Sequence, residues 1–247
     1  MIHFILALQF LTVFPVRIKN IRKEQFAASL TYFPLVGLGL GLILAGSYRL
    51  LSLLRVEESA LSGIAVVLLI ILTGALHLDG LADTCDAFLS RKNRGQMLAI
   101  MRDSHIGAMG VIGLTSIILL KFSLLYSIVT QFKLPALILM CVLSRWAQVF
   151  SISNFKYARE EGKAKEYFQG ANNRIFVQAT LVTLCIVLFT LFLKGLFIFV
   201  AVALVSYLIN KYISSKINGV TGDTIGAVSE CIEVVTLFCI CIIGRSG

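Results

Sequence analysis

Thirteen carboxylates are spread over 247 residues, so their placement is informative. The run HLDGLADTCDAF sets Asp79, Asp83 and Asp86 at i, i+4 and i+7, which projects all three from one face of a helix. Like charges in line repel and weaken a helix unless something neutralises them. A divalent cation does so, and a hard cation such as Mg²⁺ takes carboxylate oxygens and draws the rest of its shell from substrate phosphates. The bland alternative is a solvated turn at the end of an apolar run. A second segment, MRDSHIG, carries Arg102, Asp103, Ser104 and His105. A third, TGDTIGAVSECIE, sets Asp223 where it can cap a helix, with Thr221 and Thr224 beside it. Glu230 lies seven residues further, on the same face and about 10 Å deeper, and Glu233 follows one turn on. A carboxylate inside an apolar span is costly and therefore a functional candidate; the competing expectation is a structural pair with Lys121 or Arg145. Arg91, Lys92, Arg94 and Arg102, and Arg159 in YAREEG, add bases. Acids that hold metal beside bases that hold phosphate oxygens describe a metal–pyrophosphate site. For Arg91, Lys92 and Arg94 the alternative is topology and anionic lipid. His77 and His105 flank the acidic run, as a base, a substrate contact or a structural residue.

The elements that must position these residues are legible in composition. Of the residues 58% are hydrophobic and only 14% charged, and the mean hydropathy is +0.91. This excludes a soluble globular domain, a disordered chain and a coiled coil, and predicts an all-α polytopic membrane bundle forming one catalytic domain over 1–247. Seven windows are spans: 32–54, 60–78, 107–131, 135–153, 175–193, 196–212 and 225–244. Residues 2–14 are apolar but short for a span; with no basic n-region and no A-x-A-like site they read as a retained segment. Gly37 and Gly41 form a GxxxG that predicts close helix packing, against ordinary glycine enrichment in membrane helices. The sole Trp, Trp146, reads as packing or interface anchoring, and the six Cys as small hydrophobes without disulfides or metal. Fifteen of the 22 Lys and Arg fall in the loops 16–31, 79–106, 154–174 and 211–224, while Arg55, Lys133, Lys194 and Arg245 lie opposite. By the positive-inside rule the basic side is cytoplasmic, so the chemistry is expected at the cytoplasmic face; the expected location is the cytoplasmic (inner) membrane. The net charge of +9 therefore reads as topology, with the lipid bilayer as partner and no nucleic acid.

At HLDGLADTCDAF, MRDSHIGAMG, YAREEG and TGDTIGA the chain resembles the cobalamin synthase family, membrane-embedded adenosylcobinamide-GDP ribazoletransferases of the late corrinoid pathway. FPLVGLGLG at 33–41, the LSR at 143–145 and Lys121 resemble it as well, so the likeness covers the whole chain. His105 departs from the family pattern, which more often has Arg there. The resemblance implies Mg²⁺-dependent joining of adenosylcobinamide-GDP to α-ribazole or its 5′-phosphate with release of GMP, the ribazole 3′-hydroxyl attacking the phosphorus that bears the cobinamide arm. The expected site has Asp79, Asp83, Asp86 and Asp103 as catalytic residues on one or two Mg²⁺ ions. Arg102 and Arg159 clamp phosphate, and His77, Asp223 and Glu230 contact substrate. Asp86 is one candidate for the carboxylate that takes the hydroxyl proton. A homo-oligomer is compatible with all of this.

Three rival readings remain. CDP-alcohol phosphotransferases also cluster Asp residues in a membrane, but their DGxxAR pattern is broken here by Asp83 after Asp79-Gly80-Leu81-Ala82. A cation-coupled transporter would use Glu230, Glu233, Lys121 and Arg145, yet its site belongs near the midplane. An intramembrane aspartyl protease would need a partner for Asp223 at membrane depth.

Overall fold

The computed structural model describes residues 2–14, 22–162 and 164–245. Arg17, Lys19 and Lys163, counted above among the loop bases, lie outside them. Among the described residues the helices are α1 (Ile2–Leu11), α2 (Lys23–Ser29), α3 (Phe33–Leu53), α4 (Glu58–Thr73), α5 (Leu76–Leu89), α6 (Arg94–Ile100), α7 (Ala108–Ser127), α8 (Thr130–Asn154), α9 (Lys165–Gly170), α10 (Asn173–Ile217) and α11 (Gly222–Arg245). A one-turn 3-10 helix, Leu30–Tyr32, leads into α3. The expected all-α membrane bundle is what forms.

Five stretches are long and apolar enough to cross a bilayer, and α4 with α5 makes a sixth, bent by 91° at the break between them. That break is made by Gly74 and Ala75, both left-handed, with φ of 60° and 57°. Glycine adopts such a φ freely, whereas alanine does so at a cost.

The 45-residue α10 is not one rod. Phe192 has non-helical backbone, φ 46° and ψ −128°. The rings of Phe176 and Phe199 both pack on Trp146, with centroids 6.3 and 4.7 Å away. Twenty-three residues of continuous helix would separate them by about 35 Å. The chain therefore turns back at Phe192, and α10 supplies two limbs where the sequence windows 175–193 and 196–212 expect two spans.

The most enclosed helix is α8, 83% buried over its span. Against it packs α3, at the distance the GxxxG predicts. A Cβ added at Gly37 would stand 2.5 Å from the Cys141 carbonyl oxygen, and one at Gly41 2.6 Å from Ile138 Cα. Trp146 is buried in this core, its indole N–H donating to Thr180 Oγ1 over 3.0 Å. All six cysteines are free; Cys141 is buried but Cys185 is exposed on the outer face of α10.

The two ends of the bundle collect the loops as charge sorts them. At one end Arg94 donates to the carbonyls of Ile217 and Ala158 (2.8 and 3.1 Å), tying together the loops around 90–107, 155–162 and 218–221. At the other, the buried Lys133 ammonium donates to the carbonyls of Leu125 and Tyr126, closing the C-terminus of α7, and pairs with Glu58. Lys194 stands over the Phe132 ring at that same end.

Candidate active site

The site is built where α5 crosses the start of α11, and small residues permit the crossing. A Cβ at Gly80 would lie 2.6 Å from the Asp223 carbonyl oxygen, and one at Gly226 3.1 Å from that of His77. The close approach brings the carboxylates of one helix to those of the other. Asp83 sits within electrostatic reach of Asp223, Asp79 and Asp86, with Arg159 the nearby countercharge. The α11 start is fixed by Thr221 and Thr224, each side chain accepting from the other's backbone N–H (3.2 and 2.8 Å). This corrects the expectation that Asp223 caps the helix. Thr221 holds that place, and Asp223, two residues on, accepts from the Thr221 hydroxyl (3.4 Å) and meets Arg159 Nη2 at 2.6 Å. Arg159 is delivered by a backbone clip. Ala158 donates to the Val220 carbonyl (2.9 Å) and Val220 to that of Lys156 (2.8 Å), so the loop bearing Arg159 is hitched to the turn before α11.

His77, Asp79, Gln148, Tyr157, Arg159 and Asp223 face one cavity of about 280 Å³. His77 is buried, its Nε2 3.0 Å from the Gln148 amide nitrogen, which also donates to Ser229 Oγ at 2.9 Å. Burial pushes the Tyr157 phenol up from its ordinary value, so it stays protonated and can donate. Beside this cavity, with Arg159 shared between them, lies a groove of about 320 Å³ lined by Arg94, Arg102 and Glu160.

Other expected residues stand elsewhere. Asp86 is bound to the N-terminus of α7, its two oxygens accepting from the N–H groups of Gly107 (2.7 Å) and Gly110 (2.8 Å), where a helix has N–H groups to spare. Asp103 and His105 are exposed and joined to each other at 2.6 Å. The His105 hydrogen bond holds the Asp103 carboxyl below its ordinary value, and the same bond holds the imidazole above its own. Glu230 is not brought to the cavity. Its carboxylate meets Lys121 Nζ at 2.5 Å, and Glu233 is shared between Lys121 and Arg145. The structural pairing weighed from the sequence is the arrangement found, because a carboxylate buried this deeply needs a cation.

Gln148, Ser229 and Tyr157 were not singled out in the sequence. A signal existed for each: Gln148 is an amide inside the apolar run RWAQVF, Tyr157 opens YAREEG, and Ser229 lies within TGDTIGAVSECIE.

Among the described residues no three His, Cys, Asp or Glu side chains converge closely enough to cage a metal ion. Mg²⁺ often takes only one or two carboxylates, with substrate phosphates and water for the rest. Asp79 and Asp83, hard oxygen donors one helical turn apart, suit that mode.

Chain-wide comparison agrees with these local features. The sequence pattern that defines a family described as cobalamin-5-phosphate synthase matches residues 3–241. A protein of Geotalea daltonii named adenosylcobinamide-GDP ribazoletransferase is 37% identical over 242 residues, covering 98% of this chain and 97% of its own. Proteins of the same name from Desulforamulus reducens (37% over 235 residues; 95% and 94%) and Caldanaerobacter subterraneus (38% over 234 residues; 94% and 94%) are similarly close. No solved structure matches the chain.

Proposed function

This chain belongs to the cobalamin-5-phosphate synthase family, and from that premise we propose that it performs the transfer its relatives are named for. It joins adenosylcobinamide-GDP to α-ribazole or its 5′-phosphate and releases GMP. The observation that carries the reading is the junction of α5 and α11, where Asp79, His77, Asp223 and Arg159 face one cavity beside a cationic groove. The ribazole 3′-hydroxyl oxygen bonds to the phosphorus bearing the cobinamide arm. The bond from that phosphorus to the bridging oxygen breaks, and GMP leaves with the electron pair. The hydroxyl proton passes to a carboxylate on the cavity wall, Asp223. Asp86 is less suited, since backbone N–H groups occupy both its oxygens. Arg159 and Arg102 hold the diphosphate oxygens and stabilise the charge that gathers as GMP departs. Mg²⁺, held by Asp79 and Asp83 with phosphate oxygens, would neutralise the diphosphate and stabilise the leaving phosphate. Support for an inner-membrane, cytoplasm-facing site comes from the fifteen basic loop residues expected on the side that carries it.

The test is product analysis on purified protein in liposomes, given adenosylcobinamide-GDP and α-ribazole with and without Mg²⁺. Mg²⁺-dependent formation of GMP and a corrinoid product is the expected result; a folded protein that yields neither overturns the reading. Asp79→Asn and Asp83→Asn proteins should each lose about a thousandfold in turnover. Wild-type rates with unchanged Mg²⁺ dependence in both would remove the metal assignment.

A further inference from the structure

A second basic groove, of about 530 Å³, lies next to the first and, among the described residues, has no carboxylate in its lining. Arg91, Lys92 and Arg94 reach it from the α5–α6 connection, and Tyr212, Ser215 and Lys216 from the end of α10. Arg94 is committed to the Ile217 and Ala158 carbonyls and forms a fixed wall towards the cavity side. Arg91, Lys92 and Lys216 are exposed, and among the described residues the one contact found for any of them is Lys216 Nζ 5.7 Å above the Tyr212 ring. Cations gathered without an acid call for an anion from outside the chain.

The approach to the groove says which anion. Leu204, Leu208 and Tyr212 are all more than 40% exposed and follow one another at i, i+4 and i+8 along α10, with Lys216 next in the series. Such spacing makes one stripe on a helix. It runs from apolar side chains at span depth, through an aromatic ring, to an ammonium at the loop end. Phe88 packs on the ring with centroids 6.1 Å apart and completes the apolar shelf below the charges. Acyl chains, interfacial glycerol and phosphate succeed one another in that same order in a glycerophospholipid. We propose that this groove binds the phosphate of an anionic glycerophospholipid, its acyl chains lying along Leu204 and Leu208. Basic hollows between helices at the cytoplasmic level recognise such head groups. A soluble diphosphate would satisfy the cations but leave the stripe without purpose.

The experiment titrates the full chain, in neutral detergent, with phosphatidylglycerol or with phosphatidylcholine, counting bound lipid by native mass spectrometry. Wild type should prefer phosphatidylglycerol, and pyrophosphate should not displace it. Each neutralised cation should weaken binding about fivefold, so Lys92→Gln with Lys216→Gln should lose roughly thirtyfold and Lys216→Gln alone about fivefold. The single variant serves if the double variant does not fold. Leu208→Asn should weaken phosphatidylglycerol while leaving any pyrophosphate binding as it was. Equal binding of the two lipids, an unaffected Lys216→Gln, or displacement by pyrophosphate would each overturn the lipid assignment.

Discussion

Glu233 is fully buried, one oxygen towards Lys121 and the other towards Arg145 and Ser144. With Glu230 the group holds two acids and two bases, so its net charge is zero. Removing one member leaves an uncompensated charge in a dry interior, which costs about 3–5 kcal/mol. Glu233→Gln should lower unfolding stability by that amount. Arg145→Met combined with Glu233→Met should recover most of it, because the pair leaves together; equal losses in single and double variants would contradict the charge-balance account. The exposed Asp103–His105 pair behaves differently. Its carboxyl is held low and its imidazole high, so both are charged between those two values. The attraction is lost as pH rises through the His105 value or falls through that of Asp103. Asp103→Asn should bring the His105 titration, followed by NMR, down towards an ordinary histidine. An unmoved titration would separate the two side chains in solution. At this scale the acidic run of α5 was legible because three like charges on one face demand an explanation. Glu230 was misplaced because a carboxylate that holds a helix pair together and one that holds substrate look the same in one dimension. Only the opposing Lys121 distinguishes them.

Helix α3 tests the same logic for packing. Gly37 and Gly41 lie where α8 backbone leaves no space for a Cβ, whereas Gly39, on the same helix, has nothing within 4 Å. Gly41→Val should therefore cost about 3 kcal/mol or prevent folding, since the colliding atoms are backbone. Gly39→Ala should be neutral or gain up to about 1 kcal/mol from helix propensity. Thermal unfolding in detergent compares them, and equal behaviour would mean that α3 and α8 do not approach as described. The spans themselves were readable from runs of apolar residues, including the division of α10, where Lys194 and Gly195 interrupt the pattern just after the Phe192 turn. The bend before α5 was not. Ala75 in GALHL has no local mark of a left-handed residue, and the conformation is imposed by the way α5 packs on α11 and α7.

For the molecule as a whole, the loops divide between two ends, and the candidate site occupies the end with the longer ones. In a variant freed of its native cysteines, Asn93→Cys and Arg55→Cys should be labelled from opposite sides of a sealed vesicle by an impermeant thiol reagent. Labelling of both from one side would break the topology and the cytoplasmic placement with it. The overall architecture was accessible from composition alone, because an apolar chain in lipid has few ways to satisfy its backbone other than helices. The cavity was not, because its walls come from α1, α5, α8, α9, α11 and the loop after α8, segments whose meeting depends on the packed bundle.

The clip that delivers Arg159 to Asp223 means that the strongest cation at the cavity already has an occupant. An incoming phosphate does not fill a vacancy; it exchanges with a tethered anion. Chloride or another monovalent ion gains little from that trade, having one charge to offer against one. The diphosphate ester of the proposed reaction would offer two and reach Arg102 as well, so the exchange would favour it. On the proposed reading the exchange would free Asp223 of its cation, leaving its carboxylate held by the Thr221 hydroxyl alone and available to take the proton.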